Sequence, residues 1–277
     1  MQMAKHQLDE IGKWSEAKLD ILRDYATAYM TVLANQKIIR RVVYIDAFAG
    51  AGAHISRATG KQVPGSPANA LSIQPPFSEF HFIDLDRTRV GLLEKLASGR
   101  KDVHVYHEDC NDVLLEKVFP RCVYEDYARG LCLLDPYKLA VDWKVLAAAA
   151  AMGTIEVFYN FMIMDANMNM FLRKPEDVKP AEIDRMNAVW GDDSWRKAAY
   201  KKQRGLFGEF DEKRTNEAVA EAFRKRLEDV AGFEYVPKPV PMRNSTGAVV
   251  YYLYFASPNE TGAKIVGDIF RKYRKDS

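Results

Sequence analysis

Residues 42–52, with the sequence VVYIDAFAGAG, decide the fold of this chain. Apolar residues suited to a buried strand end on the carboxylate of Asp46, and Gly50 and Gly52 then allow backbone amides to approach a ligand closely. A strand followed by such a glycine turn is typical of α/β folds that bind nucleotide-like ligands. The dinucleotide fingerprint requires a small residue three positions after Gly52, where this chain has Ile55. The pattern therefore disfavours NAD.

The composition is that of a globular chain without features of secretion or membrane insertion. Its 277 residues are 48% hydrophobic, enough for one large domain or a domain with an insertion. The first ten residues are polar and charged, and no run of eighteen apolar residues predicts a membrane span. We therefore expect a cytoplasmic protein. Basic clusters at residues 196–204 and 271–275 indicate either solvated helix faces or a nucleic-acid surface.

The rest of the chain alternates between strand-like and helix-like segments. Apolar runs predict strands at residues 42–46, 79–85, 103–106, 131–135, 154–161, 233–236 and 248–255. Helical periodicity predicts helices at residues 14–36, 66–73, 88–98, 111–119, 143–152 and 264–273. This alternation predicts a mostly parallel α/β sheet with helices on both faces.

Two segments depart from the alternation. Residues 53–65, which include His54, predict an unusually long loop before a helix with Ser66 as N-cap and Pro67 at its first position. Residues 167–230 have helical patterns at 180–190, 193–202 and 215–230 and no strand pattern. We therefore expect three parts, namely a core at residues 1–166, a helical insertion or lid at 167–230, and strands and a helix that complete the core at 231–277.

Acidic residues follow four of the predicted strands, and ligands of open parallel sheets bind at these carboxyl ends. Asp46 follows the first strand. Asp84 follows the second and is suited to accept hydrogen bonds from ribose hydroxyls, with Asp86 as the alternative. Asp109 follows the third and is suited either to accept from an adenine amino group or to cap the next helix.

The fourth strand is followed by Asp135, Pro136 and Tyr137, our candidate catalytic residues. The carboxylate can accept from an exocyclic amine, the proline fixes the backbone, and the ring can stack on a planar base. The alternative is a turn that ends the strand and in which Tyr137 only packs.

Other chemistries find little support in the sequence. The nucleophile elbow G-x-S-x-G and the phosphate-binding G-x-x-x-x-G-K-[ST] do not occur. We predict no metal site, because metal-ligand spacing is absent from the histidines His54, His81, His104 and His107. Reduced structural thiols are expected at Cys110, Cys122 and Cys132.

The ordered set of motifs resembles class I S-adenosylmethionine-dependent methyltransferases and, more narrowly, the three-Cys-motif partner (TcmP) family. The motifs are KWSEAKL at 13–19, YIDAFAGAG at 44–52, GSP at 65–67, LDPY at 134–137 and YLYFAS at 252–257. The resemblance implies a Rossmann-like, seven-stranded methyltransferase fold with S-adenosylmethionine as cofactor. The residues we expect to bind this cofactor are Asp46, Phe48, Ala49, Gly50, Gly52, Asp84 and Asp109.

The resemblance also implies a partner protein encoded nearby that carries three cysteines, which are not the cysteines of this chain. Our first expectation for the methyl acceptor is nucleic acid, from the basic helical face and Tyr137. Methyltransferases of base amines have an acid or Asn, two prolines and an aromatic residue, whereas a single proline separates Asp135 from Tyr137. The alternative function is a non-catalytic module that docks the partner protein.

Overall fold

The structure, a computed structural model, describes residues 8–205 and 208–275. The first seven residues of the expected core, two residues of the expected insertion and the last two residues of the chain lie outside the described residues. The strands are β1 (Glu10–Ile11), β2 (Arg41–Asp46), β3 (Ala53–Ser56), β4 (Gln62–Pro64), β5 (Glu79–Ile83), β6 (Val103–Tyr106), β7 (Ala128–Leu134), β8 (Ile155–Phe161), β9 (Tyr200–Gly205), β10 (Gly208–Lys213), β11 (Val240–Arg243) and β12 (Val249–Ala256).

The α-helices are α1 (Lys13–Ala34), α2 (Ser66–Ser72), α3 (Arg87–Leu96), α4 (Cys110–Val113), α5 (Trp143–Met152), α6 (Ile163–Asn169), α7 (Pro180–Trp190), α8 (Trp195–Ala199), α9 (Asn216–Arg226) and α10 (Glu260–Lys275). Both α4 and α9 continue as π-helical turns, at Leu114–Val118 and Leu227–Ala231. Among the described residues, none of these helices has the length and apolar character needed to cross a membrane.

Seven strands form the main sheet, in the order β6-β5-β2-β7-β8-β12-β11. Neighbouring strands from β6 to β8 run parallel, and β12 runs antiparallel to both of its neighbours. The five parallel strands of this sheet, counted along the chain as β2, β5, β6, β7 and β8, have the 3-2-1-4-5 order of a doubly wound α/β fold. The reversed β12 lies between β8 and β11. This topology confirms the predicted class I methyltransferase-like fold.

Helices cover both faces of the sheet because successive side chains of a strand point to opposite sides. In β2, Val42 and Tyr44 pack in a core with α1, α2, α3 and α10. Val43 and Ile45 pack in a second core, with α4 to α9. Burial of each large apolar side chain contributes about 1.5–3 kcal/mol of hydrophobic stabilisation, so the two cores fix the sheet between its helices.

The prediction of a long loop at residues 53–65 was wrong, because this segment contains the strands β3 and β4. Here β3 pairs antiparallel with β4 and parallel with β1, which joins Glu10 to Ile55. The pairing was not visible because β1 has two residues and lies more than forty positions earlier in the chain. The helix boundary also moves by one residue, since Gly65 is the N-cap of α2 and Ser66 is its first residue.

The prediction that residues 167–230 contain no strand was also wrong. The helix expected at 193–202 ends at Ala199, and β9 and β10 then form an antiparallel hairpin. Charged pairs hold its two strands, as between Lys201 and Glu212 at 2.9 Å. Such strands lack the apolar alternation on which a sequence-based strand prediction depends. The surrounding helices pack on the sheet, where Trp190 and Phe223 contact Phe161 of β8.

The structure describes residues 233–236 and has no strand there, where the sequence predicted one. The strand of the main sheet that precedes β12 along the chain is β11 instead. Phe233 and Val236 are buried without joining the sheet, so their burial explains the strand-like composition. Tyr235 forms a single bridge to Ser257. Pro241 lies within β11, which a sequence argument disfavours but which an edge strand tolerates.

Candidate functional site

The glycine turn follows β2 at the carboxyl edge of the main sheet. The backbone of this turn is bound to both neighbouring strands. The Ala47 amide donates to the Leu133 carbonyl at 3.0 Å, and the Ala49 amide donates to the Ile83 carbonyl at 2.9 Å. The turn therefore continues the hydrogen bonding of the sheet past the end of β2 and has a fixed position between β5 and β7.

The two glycines of the turn have different surroundings. Both have left-handed backbone angles, with φ of 63° at Gly50 and 75° at Gly52, which glycine adopts without strain. A Cβ added at Gly50 would meet no atom within 4 Å, whereas one at Gly52 would lie 2.9 Å from Leu96 Cδ2. Gly50 thus has open space beside it for a ligand, and Gly52 serves the packing of the turn against α3.

Asp84 connects the second strand to the glycine turn. Its Oδ2 accepts from the Gly50 amide at 2.9 Å, and its Oδ1 accepts from the Asp86 amide at 2.8 Å. The residue is buried, and each carboxylate oxygen has a second lone pair with which to accept from a ligand hydroxyl. Asp86 is instead exposed and caps α3, accepting from the amides of Thr88 and Arg89.

Asp46 lies at the end of β2 and is fully buried. Burial raises its pKa to about 7, and the nearby Ser66 hydroxyl opposes this rise by hydrogen bonding. Its Oδ1 accepts from the Phe48 amide at 3.3 Å, so the carboxyl group also shapes the first bend of the turn. The side chain is therefore part of the support beneath the glycine turn.

Asp135 follows β7 and is held from two sides. The Lys18 ammonium of α1 binds Oδ2, and the Asn160 amide of β8 donates to Oδ1. Asn160 is fully buried, and its own Oδ1 has no hydrogen-bond partner. The carboxylate thus has a fixed orientation at the edge of the sheet, beside a buried acceptor atom of Asn160 that has no partner.

Tyr137 is 88% exposed, so its ring does not pack within the chain as the alternative interpretation expected. Pro136, between Asp135 and Tyr137, is buried. An exposed aromatic ring directly after a fixed carboxylate can stack on a planar group.

Asp109 caps the helix α4, which is one of the two roles that the sequence left open for this residue. Its carboxylate accepts from the Asn111 amide at 2.8 Å at the start of α4, and the side chain is exposed. Contact with an adenine amino group therefore remains a prediction for this residue. Nearby, Leu85 is also exposed, and His107 contacts the Leu85 carbonyl at 3.0 Å.

Sequence reasoning missed two residues of this site, Lys18 and Asn160. Lys18 lies 117 positions before Asp135, within the helix predicted at residues 14–36. Asn160 is the single amide in the strand sequence TIEVFYNF, and its position between two aromatic residues was a usable indication of a buried role. His54, already noted from the sequence within residues 53–65, has a buried Nδ1 without a partner, and burial and the charge of Lys18 lower its pKa.

The cysteines do not take part in this site. All three are buried and free of disulfide bonds, at Cys110, Cys122 and Cys132. Burial raises the pKa of Cys110 and of Cys122 to about 12 and raises that of Cys132 as well. Thiols in this state are not nucleophiles near neutral pH.

Comparison with solved structures supports the fold. Protein LPL1258 from Legionella pneumophila has 13% identity, a TM-score of 0.54 and coverage of 92% of both chains. A weaker match is Aeropyrum pernix fibrillarin with natively bound S-adenosyl-L-methionine, at 11% identity and a TM-score of 0.38, covering 85% of this chain and 76% of that one. Another is M. jannaschii TYW2 in complex with AdoMet, at 14% identity and a TM-score of 0.34, covering 88% of this chain and 76% of that one. No family model matches the sequence, and no curated protein matches it either. At these identities the similarity concerns the fold alone.

Proposed function

We propose that this chain is an S-adenosylmethionine-dependent methyltransferase with its site at the carboxyl edge of the main sheet. The observation that carries the proposal is that three adjacent strands, β5, β2 and β7, bring Asp84, the Gly50 turn and Asp135 to one edge. Ligands of doubly wound sheets bind at this edge, where the strand order reverses around β2.

The described residues fit the proposed cofactor. Asp84 has lone pairs to accept from two ribose hydroxyls, and the space beside Gly50 is open. Phe48 and Ala49 belong to the same turn, and Asp46 supports it from below. When bound, S-adenosylmethionine supplies a methyl group activated by its sulfonium sulfur.

In this proposal, Asp135 positions the methyl acceptor. Lys18 and Asn160 hold its carboxylate in one orientation, so little conformational freedom remains to be lost when a donor group binds. The exposed ring of Tyr137 stacks on a planar acceptor, and the buried Pro136 fixes the turn between them. These are the catalytic roles we assign to Asp135, Pro136 and Tyr137.

The planar acceptor that we favour is a base of a nucleic acid, with Tyr137 as its main support. The basic cluster at residues 196–204 contributes less than its sequence implied, because Lys201 pairs with Glu212 across the β9–β10 hairpin. We further propose membership in the TcmP family, with a three-cysteine partner protein, and a lid role for residues 53–65 and 167–230. The family membership and the partner rest on the motif resemblance described above, and the lid role rests on the length of the 53–65 segment and on the helical pattern of residues 167–230.

Isothermal titration calorimetry with S-adenosylmethionine tests the proposed function. Wild type should bind one equivalent, and Asp84→Ala should weaken binding by about tenfold or more, since hydrogen bonds to a charged group contribute about 1.5–3 kcal/mol. The matched control is Asp86→Ala, which removes an exposed acid two positions later and should bind like wild type. Absence of binding by folded wild type, or equal affinities in the two variants, would count against the proposal.

A further inference from the structure

A second cluster of ligand-type side chains lies at the opposite end of β5 from Asp84. Glu79 is the first residue of β5, and His81 follows two positions later on the same face of the strand. His104 of β6 is the register partner of His81, which places it on that face as well. The parallel pairing of β5 and β6 therefore brings a carboxylate and two imidazoles together.

The distances within this cluster match those of a metal site. Glu79 Oε1 lies 3.0 Å from His81 Nε2 and 3.1 Å from His104 Nε2, and the three atoms lie within 4.8 Å of one another. Tetrahedral zinc with bonds of about 2.0–2.2 Å keeps its ligand atoms about 3.3–3.5 Å apart. Only small adjustments of side-chain torsions separate the two arrangements.

The hydrogen bonding of the cluster is incomplete. His81 is fully buried and Glu79 nearly so, and His81 Nε2 has no partner with hydrogen-bond geometry. Glu79 Oε1 lacks a donor in that geometry as well, although it forms an ion pair with the Arg121 guanidinium at 2.7 Å. Buried polar atoms are almost always satisfied, so the unsatisfied His81 Nε2 facing the Glu79 carboxylate at 3.0 Å favours a ligand bound between the two groups. His81 Nδ1 lies 2.9 Å from the Tyr106 hydroxyl, an outer contact of the kind that orients metal-binding histidines.

We propose that Glu79, His81 and His104 bind a divalent transition metal ion, with zinc as the chemically best-suited occupant. Imidazole and carboxylate ligands suit zinc, and a water molecule completes the four-coordinate shell. The ion connects β5 to β6, the edge strand of the sheet, and enters past the partly exposed His104. This assignment differs from the sequence-based prediction of no metal, because ligands paired across two strands leave no recognisable spacing.

Arg121 is the competitor of the metal ion in this cluster. Its Nη2 lies 2.7 Å from the same Glu79 oxygen, and a guanidinium group cannot serve as a metal ligand. The Arg121 side chain is 44% exposed and has solvent into which it can move when the ion binds. Removal of its charge should therefore leave metal affinity unchanged or increase it.

Zinc titration of the chelator-treated, full-length chain tests the proposal. Wild type should bind one Zn²⁺ per chain and show a higher thermal midpoint with zinc, since a ligand specific for the folded state stabilises it. Loss of an outer partner alone costs about 10–100-fold in metal affinity, so His104→Gln should lose at least about 100-fold. His104 is partly exposed, which favours folding of that variant, and the control His107→Gln should bind like wild type.

Three results would overturn the proposal. The first is the absence of zinc binding by wild type, and the second is equal zinc affinity in wild type and His104→Gln. The third is a lower zinc affinity in a folded Arg121→Gln variant, which would contradict the proposed ligand set. Circular dichroism of each variant establishes that it is folded before the titration.

Discussion

Glu156 is a buried carboxyl group near the amino end of β8, away from the proposed cofactor site. It accepts a hydrogen bond from the Tyr25 hydroxyl and another from the Ser257 hydroxyl at 2.9 Å. Burial raises its pKa to about 7, and the two hydrogen bonds oppose this rise. The folded protein therefore retains a proton on Glu156 at a pH where the unfolded chain has lost it.

This difference predicts how stability depends on pH. Between about pH 4.5 and 7 the folded state binds more protons at Glu156 than the unfolded state, so the free energy of unfolding falls as pH rises. A shift of this size corresponds to an effect on the order of 3 kcal/mol. Glu156→Gln should reduce this fall without abolishing it, because the pKa of Asp46 is also raised to about 7 and contributes a similar part.

Urea unfolding between pH 5 and pH 8 measures the effect. The free energy of unfolding should fall less from pH 5 to pH 8 in Glu156→Gln than in wild type. The exposed Glu94 provides the control, and Glu94→Gln should retain the wild-type profile. Parallel profiles for wild type and Glu156→Gln would show that burial of Glu156 does not perturb its titration.

The sequence predicted the acids of the candidate site better than their partners. Asp46, Asp84 and Asp135 were identifiable because each follows an apolar strand, and the carboxyl ends of parallel strands meet at one edge. Lys18 and Asn160 were not, because they reach Asp135 from α1 and β8 through side-chain contacts. Contacts of this kind depend on how the elements pack and leave no local pattern.

At the scale of elements, the docking of α10 depends on a single glycine. A Cβ at Gly262 would lie 2.7 Å from the Tyr25 hydroxyl and would overlap a Glu156 oxygen. The absence of a side chain at Gly262 thus allows α10 to approach α1 and β8 closely. Gly267, in the same helix, has open space at the position of a Cβ.

These two glycines give a matched pair of substitutions. Gly262→Ala should destabilise the protein by about 1–3 kcal/mol, because the extra methyl group overpacks a buried contact. Gly267→Ala should stabilise it by about 0.5–1 kcal/mol, because alanine restricts the unfolded chain and favours the helix. Chemical denaturation of both variants measures the difference, and equal effects would contradict the proposed close approach.

The elements that sequence reasoning missed share one physical cause. Strands β3 and β4, the β9–β10 hairpin and β11 are stabilised by pairing with a particular neighbour. In β9 and β10 the stabilising contacts are between charges, and in β11 a proline lies within the strand. By contrast, α5 and α7 were predicted to the residue because their periodicity arises from burial of one face.

For the whole molecule, the alternation of strands and helices was sufficient to predict the sheet and its class. The position of the reversed β12 between β8 and β11 is a property of the complete topology. The position of ligand sites is a separate question, since ligands could bind at either edge of the main sheet.

The amino edge has a cavity of about 120 Å³ beside Tyr29, Arg129 and Glu156. Sites for small-molecule ligands commonly measure about 300–1,000 Å³, so this cavity is too small for a ligand of the size of S-adenosylmethionine.

The most direct test of the central claim is a crystal structure of the full chain with S-adenosylhomocysteine, the product form of the proposed cofactor. We predict density at the carboxyl edge of the main sheet, beside Gly50, with the ribose hydroxyls within hydrogen-bond distance of Asp84. The carboxyl edge free of ligand at saturating concentration, or ligand bound at the amino edge, would contradict the proposed cofactor site.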